Sequence, residues 1–282
     1  MSKILARAAK NQADKQTWEL RYQFEKGQCI RWQTEHTTSN ETRNAGKSEK
    51  TWTRSNSNKH WDVKSVDSKG NVSLDLTYDQ FTMWTKFNDE QPKTIDSQTP
   101  IDQQPAANKD LLRNIGNRFA TYTVNNRGAV DKHDAGRNAF NLGIADFLIP
   151  LPEQAIPVGH KWYVSRNYPV EDESGRPIQI PIRTVYELEK VVDQKAYISI
   201  RAQILAPIES EKVKMELMQQ NSSGYAVFDI PRGQVIQRQY EWNDKVQGYP
   251  TPDSYVQYSA KIVEKLETAN ALVPLEMKTK TR

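Results

Sequence analysis

The stretch NVSLDLTYDQFTMW (Asn71–Trp84) decides the class of fold. Val72, Leu74, Leu76 and Tyr78 alternate with Ser73, Asp75 and Thr77. A period of two places the apolar side chains on one face of a strand and the polar ones on the other. After Asp79 the parity changes, and Phe81 and Met83 become the apolar positions. A change of parity inside one strand predicts a β-bulge, because one extra residue turns everything beyond it to the opposite face.

Strands dominate on either side of this stretch. Trp18, Leu20, Tyr22 and Phe24 alternate before a turn at Glu25-Lys26-Gly27, and Cys29–Thr38 reads as the next strand. The polar run Ser39–Lys50 is expected to be a hairpin tip. Residues 85–110 hold three prolines and many polar groups and read as a long loop, with a short helix over Asp110–Arg118. Phe119–Val124 is a strand, Asn125–Gly128 a turn, and Asp131–Asn141 a polar loop. Pro150, Pro152 and Pro157 keep the stretch Phe147–Trp162 from forming a regular helix. Strands are then predicted over Lys161–Tyr168, Ile178–Leu188 and Ala196–Ile204, a helix over Pro207–Asn221, a hairpin from Gly224 to Trp242, and a final strand over Tyr255–Leu266.

Three segments recur in order. Gly27 matches Gly159, VDSKGNVSLDL (Val66–Leu76) matches VDQKAYISIRA (Val192–Ala202), and Arg127-Gly128 matches Arg232-Gly233. The fold expected is mainly β. Two pseudo-repeated halves of antiparallel strands pack together or share a curved sheet, with short helices near 3–16 and 207–221. The organisation read from this is an N-terminal helix over 1–17, a first β half over 18–146, a Pro-rich crossover over 147–159, a second β half over 160–267, and a mobile tail over 268–282. Ile4, Leu5, Ala8 and Ala9 form the apolar side of the N-terminal helix.

Composition narrows the function classes. With 282 residues and 9% aromatics the chain has the apolar groups for a real core, which argues against disorder. The net charge of +4 is small and the signs are interspersed, so a dedicated nucleic-acid surface is not expected despite the basic stretch Arg43–Lys64. A single cysteine, Cys29, permits no intramolecular disulfide and reads as a small core residue. No apolar run approaches the roughly 20 residues of a membrane-spanning helix, and the first residues carry no apolar signal region.

A strand ending in FEKGQ (Phe24–Gln28), a WDVKSVDSKGNV pair (Trp61–Val72), an LPEQAIPVGHKW junction (Leu151–Trp162) and an FDIPRGQV hairpin (Phe228–Val235) resemble a family of uncharacterised, usually exported, β-rich bacterial proteins of planctomycete type. The resemblance spans roughly Leu20 to Glu267. It implies a β-rich fold and an envelope or exported setting, and it brings no activity or catalytic residue with it. The absence of a signal region as written sits against the exported pattern.

The sequence carries no recognisable motif of catalysis. No two of His36, His60, His133 and His160 have a local metal-ligand spacing. The acidic segments DKHDAGRN (Asp131–Asn138) and Glu171–Gly175 lack the ligand pattern of a calcium loop. There is no nucleophile elbow and no phosphate loop. No metal and no cofactor are expected. Seven tryptophans suggest instead an aromatic strand face that holds an apolar or glycan ligand, with Trp52, Trp61 and Trp84 as the binding residues; the plain alternative is that they fill the core. The expectation is a non-enzymatic binding protein, its partner an apolar small molecule. One alternative is a protein–protein module of a larger assembly. A second is a hydrolase whose carboxylates converge across strands.

Overall fold

A computed structural model describes residues 16–135 and 148–267. β1 (Thr17–Trp18) precedes three long strands, β2 (Cys29–Asn44), β3 (Lys47–Val66) and β4 (Val72–Phe87). Then come β5 (Lys93–Asp96), the short helix α1 (Lys109–Leu112), β6 (Arg118–Val124) and β7 (Val130–Ala135). The later part carries β8 (Ile156–Pro157), β9 (Lys161–Glu171), β10 (Pro177–Val192) and β11 (Lys195–Ile204). Helix α2 (Glu211–Leu217) leads to β12 (Ser222–Asp229), β13 (Gln234–Gln247) and β14 (Tyr255–Leu266). The expected helix near 3–16, the segment 136–147 and the tail 268–282 lie outside the described residues.

All strands except β1 and β8 join one antiparallel sheet, in the order β7-β6-β4-β3-β2-β14-β13-β12-β11-β10-β9, with β5 beside β4. The protein is mainly β, and among the described residues the sheet does not close into a barrel. The chain winds outward from β2 to one edge, crosses over, and winds back inward from β9. The last strand, β14, therefore pairs with the first long one, β2, from Tyr255↔Arg43 to Leu266↔Trp32.

The alternation in Val72–Tyr78 works as read. Val72, Leu74, Leu76 and Tyr78 are buried on the inner face. The parity change is a bulge: Lys59 faces Tyr78 and Asn58 faces Gln80, so Asp79 is the extra residue. The strands are longer than the alternation suggested. β2 runs to Asn44 and β3 starts at Lys47, so the expected tip Ser39–Lys50 is mostly paired strand around a two-residue turn at Ala45-Gly46, both with positive φ. Pairing on both sides satisfies the backbone there, and polar Thr, Ser and Asn side chains need no apolar partner. The stretch 85–110 likewise holds the end of β4, all of β5 and two 3-10 turns. Asp131–Asn141, read as a loop, begins as strand β7.

The two arms share local geometry. Gly27 has φ +85 and donates its N–H to Val63 O at 2.9 Å, and Val63 N–H returns to Gln28 O at 2.9 Å. Gly159 has φ +86 and donates to Leu188 O at 2.7 Å, and Leu188 N–H returns to His160 O at 3.1 Å. Pairing slips just beyond both acceptors, between Val63 and Ser65 and between Leu188 and Lys190.

One large apolar cluster draws on inner-face residues of both arms, among them Leu74, Val124, Leu188, Ile198 and Phe228. It is covered by two extended straps, Trp18–Phe24 and Leu148–Ile156, which supply Leu20, Tyr22, Leu148, Ile149, Leu151 and Ile156. Each such buried side chain contributes about 1.5–3 kcal/mol. The straps pair through β1 and β8, and the Tyr22 hydroxyl donates to Ile149 O while accepting from Ile149 N–H, both at 3.1 Å. Helix α2 covers a smaller cluster with Val213 and Leu217 against Val170, Ile180 and Ile182. Ser210 caps it, its hydroxyl accepting from Val213 N–H.

Candidate functional site

The three tryptophans expected to bind ligand do not form one surface. Trp61 is 1% exposed and packs edge-on against Tyr122 in the core. Its expected place on a ligand-binding face is corrected by the register: Trp61 shares the inward parity of Val63, while His60 and Asp62 face out. Trp52 and Trp84 lie on the outer face, on neighbouring strands, where Trp52 opposes Lys86 and Trp84 opposes Arg54. Lys50 Nζ stands 4.9 Å from the centre of the Trp52 ring and Lys86 Nζ 5.8 Å. Trp32 and Trp162 are buried with Trp61, and Trp18 and Trp242 pack against the same cluster. Five of the seven tryptophans therefore build the core.

A concavity among the described residues instead lies at the end of the sheet where the first strap crosses the seam. It holds about 830 Å³. Tyr22, Phe24, Ile30, Val72 and Leu266 form its apolar wall, and Gln23, Arg31, Arg232, Gln234 and Glu267 line it with polar groups. Two glycine turns set its shape. Tyr22 N–H donates to Asn126 O at 2.9 Å, and Gln23 N–H to Gly233 O at 3.0 Å. A Cβ on Gly128 would lie 2.7 Å from Ile149 O, and one on Gly233 2.5 Å from Gln23 Cγ. Both glycines have positive φ, so the strap approaches backbone that only glycine provides.

Behind the wall a buried ionic cluster crosses the seam. Glu264 accepts from Lys59 and Arg238, and from the Thr34 hydroxyl at 3.0 Å. All three charges are nearly inaccessible. Burial pushes the Glu264 carboxyl up, but the charges of Arg238 and Lys59 outweigh it and hold it down at about 2. Arg238 also stands 5.8 Å from the centre of the Trp32 ring.

On the outer face, beside the groove, Cys29 directly opposes Asp62, and His60 shares their face. Cys29, read as a core residue, is exposed; its odd parity relative to Ile30 and Trp32 turns it outward. The ligand atoms of Cys29, His60 and Asp62 all lie within 4.8 Å of one another. His60 Nδ1 meets both oxygens of Asp79 at 2.8 Å. Partial burial pushes the Cys29 thiol up, Arg31 opposes this, and Asp62 and Asp79 raise it further. Histidine-to-histidine spacing could not find this cluster, because Cys29 on β2 meets His60 and Asp62 on β3, with Asp79 on β4 behind them. The findable signals were the outward parity of Cys29, His60 and Asp62 and the bulge at Asp79.

His36 faces inward on β2, and burial holds its imidazole below the ordinary value. The acidic segment Glu171–Gly175 forms the turn between β9 and β10, where Asp172 accepts from the Ser174 hydroxyl and from the N–H groups of Ser174 and Arg176. Those bonds, led by the Ser174 hydroxyl, hold the Asp172 carboxyl well below the usual range. No helix among the described residues is long and apolar enough to cross a membrane, which says nothing of crossing by strands.

No family model matches the chain, and no curated protein matches it. Among solved structures it is similar to one described as lipid–protein interactions in lipovitellin, with 9% identity and a TM-score of 0.46 over 92% of this chain. The chain spans 27% of that lipovitellin chain. It is also similar to the COG4313 outer membrane channel from Pseudomonas putida F1, with 6% identity and a TM-score of 0.29 over 87% of this chain and 97% of that one. A DUF1329 family protein from Desulfovibrio piger gives 10% identity and a TM-score of 0.17 over 90% and 87%. Two of the three are bacterial. None establishes a family or a function, and the kinship with exported planctomycete-type proteins is not shown by them.

Proposed function

We propose that the protein is a non-enzymatic binding protein that holds an apolar ligand with a polar end in the groove beside the first strap. The observation that carries this reading is the groove itself. Its volume of about 830 Å³ suits a small molecule, and its lining mixes Phe24 and Leu266 with the polar groups of Gln23, Arg31 and Arg232, which could orient a head group. The binding surface in this reading is the strap and the sheet end rather than the tryptophans of β3 and β4. The matched glycine bonds and bulges of the two arms support reading the chain as a duplicated unit, with the groove at its seam. An envelope setting rests on the sequence resemblance alone, and fractionation of the source cells tests it.

The test is titration with a fluorescent fatty acid, alongside native mass spectrometry of gently purified protein. One equivalent is expected to bind, at least about tenfold more weakly in Phe24→Glu. No uptake of the probe and no bound mass would overturn the reading.

A second reading, a module of a larger assembly, is favoured by β9. Among the described residues this strand pairs on one side only, and it exposes Tyr163 (53%) and Val164. An open edge with apolar groups is a template for a partner strand. A strictly monomeric protein with no partner in a pull-down would remove it.

A further inference from the structure

We propose that Cys29, His60 and Asp62 form a binding site for a single zinc-class divalent transition-metal ion on the outer face of the sheet, with Asp79 as the residue that orients His60. This site borders the apolar groove at Cys29, but it does not depend on the groove's holding a ligand.

The donor set is one thiol, one imidazole and one carboxylate. That combination suits a borderline-soft ion and not calcium or magnesium, which take oxygen ligands. The backbone presets the geometry. Cys29 and Asp62 are directly opposed across β2 and β3, and His60 stands two residues along on the same face. The Nε2 of His60 lies 3.7 Å from Oδ2 of Asp62. That is too long for a hydrogen bond but near the roughly 3.4 Å between nitrogen and oxygen ligands on a tetrahedral zinc ion.

The second observation is the bulge. The extra residue on β4 is Asp79, and its carboxylate meets His60 Nδ1 at 2.8 Å. An ionised carboxylate only accepts, so Nδ1 donates to Asp79, and in the neutral imidazole this leaves the Nε2 lone pair on the side of Cys29 and Asp62. A carboxylate behind a histidine is the usual outer support of a metal ligand. Arg31 stands 3.5 Å from Asp79 and balances its charge. A thiolate and Asp62 then carry two negative charges, which a divalent ion neutralises. Three protein ligands leave a fourth position open, and Cys29 lines the groove.

The same residues suggest a rival arrangement, a Cys29 nucleophile with His60 as base and Asp79 as its orienter. The geometry favours the ion: the Cys29, His60 and Asp62 ligand atoms all lie within 4.8 Å of one another, so Asp62 stands as a third ligand for which the nucleophile reading has no use.

The test uses the full-length protein stripped of metal and titrated with cobalt(II), then zinc. One equivalent of cobalt is expected to give a sulfur-to-metal charge-transfer band, which zinc abolishes. The band should be lost in Cys29→Ser. Zinc affinity should fall about 10–100-fold in Asp79→Asn, with an unchanged circular dichroism spectrum. All the substituted side chains lie on the outer face, so folding should persist. No charge-transfer band, or zinc affinity unchanged in both Cys29→Ser and His60→Gln, would overturn the site. Alkylation of Cys29 by iodoacetamide at the same rate with and without zinc would also overturn it, in favour of the nucleophile.

Discussion

Lys59 and Glu264 lie 205 residues apart in the chain and form an ion pair inside the core, 4% and 2% exposed. One sits on β3 and the other on β14, with β2 between them. Arg238 on β13 completes the cluster, so a single carboxylate ties both arms of the sheet across their seam.

Removing that carboxylate leaves two buried cations facing each other. Glu264→Gln is therefore expected to cost about 3–5 kcal/mol in urea unfolding. Lys59→Met should cost less, because Arg238 still pairs with Glu264. A loss below 1 kcal/mol for Glu264→Gln would mean that water reaches the cluster.

Acid should unfold the protein through the same group. The Glu264 carboxyl falls from an ordinary 4.5 to about 2 in the folded state. A depressed folded value means that its contribution is complete above pH 4.5 and is lost as pH falls toward 2. The amount is about 3 kcal/mol. Urea midpoints measured from pH 6 to pH 2 should drop across that window, and the drop should be smaller in Glu264→Gln.

The glycine turns make a graded prediction. Gly46→Ala meets nothing within 4 Å and should cost only the roughly 1–2 kcal/mol of a left-handed backbone. Gly128→Ala and Gly233→Ala add contacts under 3 Å with the straps, so each should cost at least about 2 kcal/mol more. Equal midpoints for all three variants would show that the straps are not held as described.

The tryptophans separate in the same way. Trp61→Ala should cost about 3–5 kcal/mol, since it empties a fully buried site. Trp84→Ala, at a position 36% exposed, should stay within about 1 kcal/mol. Thermal unfolding of the two variants beside the parent decides this.

Much of the architecture could be read from local pattern. The alternation Val72–Tyr78, the bulge at Asp79, a helix within Pro207–Asn221, and the strand Tyr255–Leu266 all follow from periods of two or 3.6. Where both faces of a strand are polar, as in Ser39–Asn44, the period carries no signal, and pairing alone made the strand. The candidate sites were less legible. Trp61 went to the core and Trp52 and Trp84 to the outer face because parity, not residue type, chooses the face.

By itself the sequence determined the strand-rich class, most strand positions and the glycine turns, because backbone preference and alternation act between near neighbours. Only the tertiary structure decided which strands pair. That choice set Cys29 against Asp62, carried Lys59 to Glu264 across the seam, and laid Tyr22 and Gln23 against the two glycine turns. These relations depend on register between distant segments, which burial of one common apolar face selects and which no local spacing records.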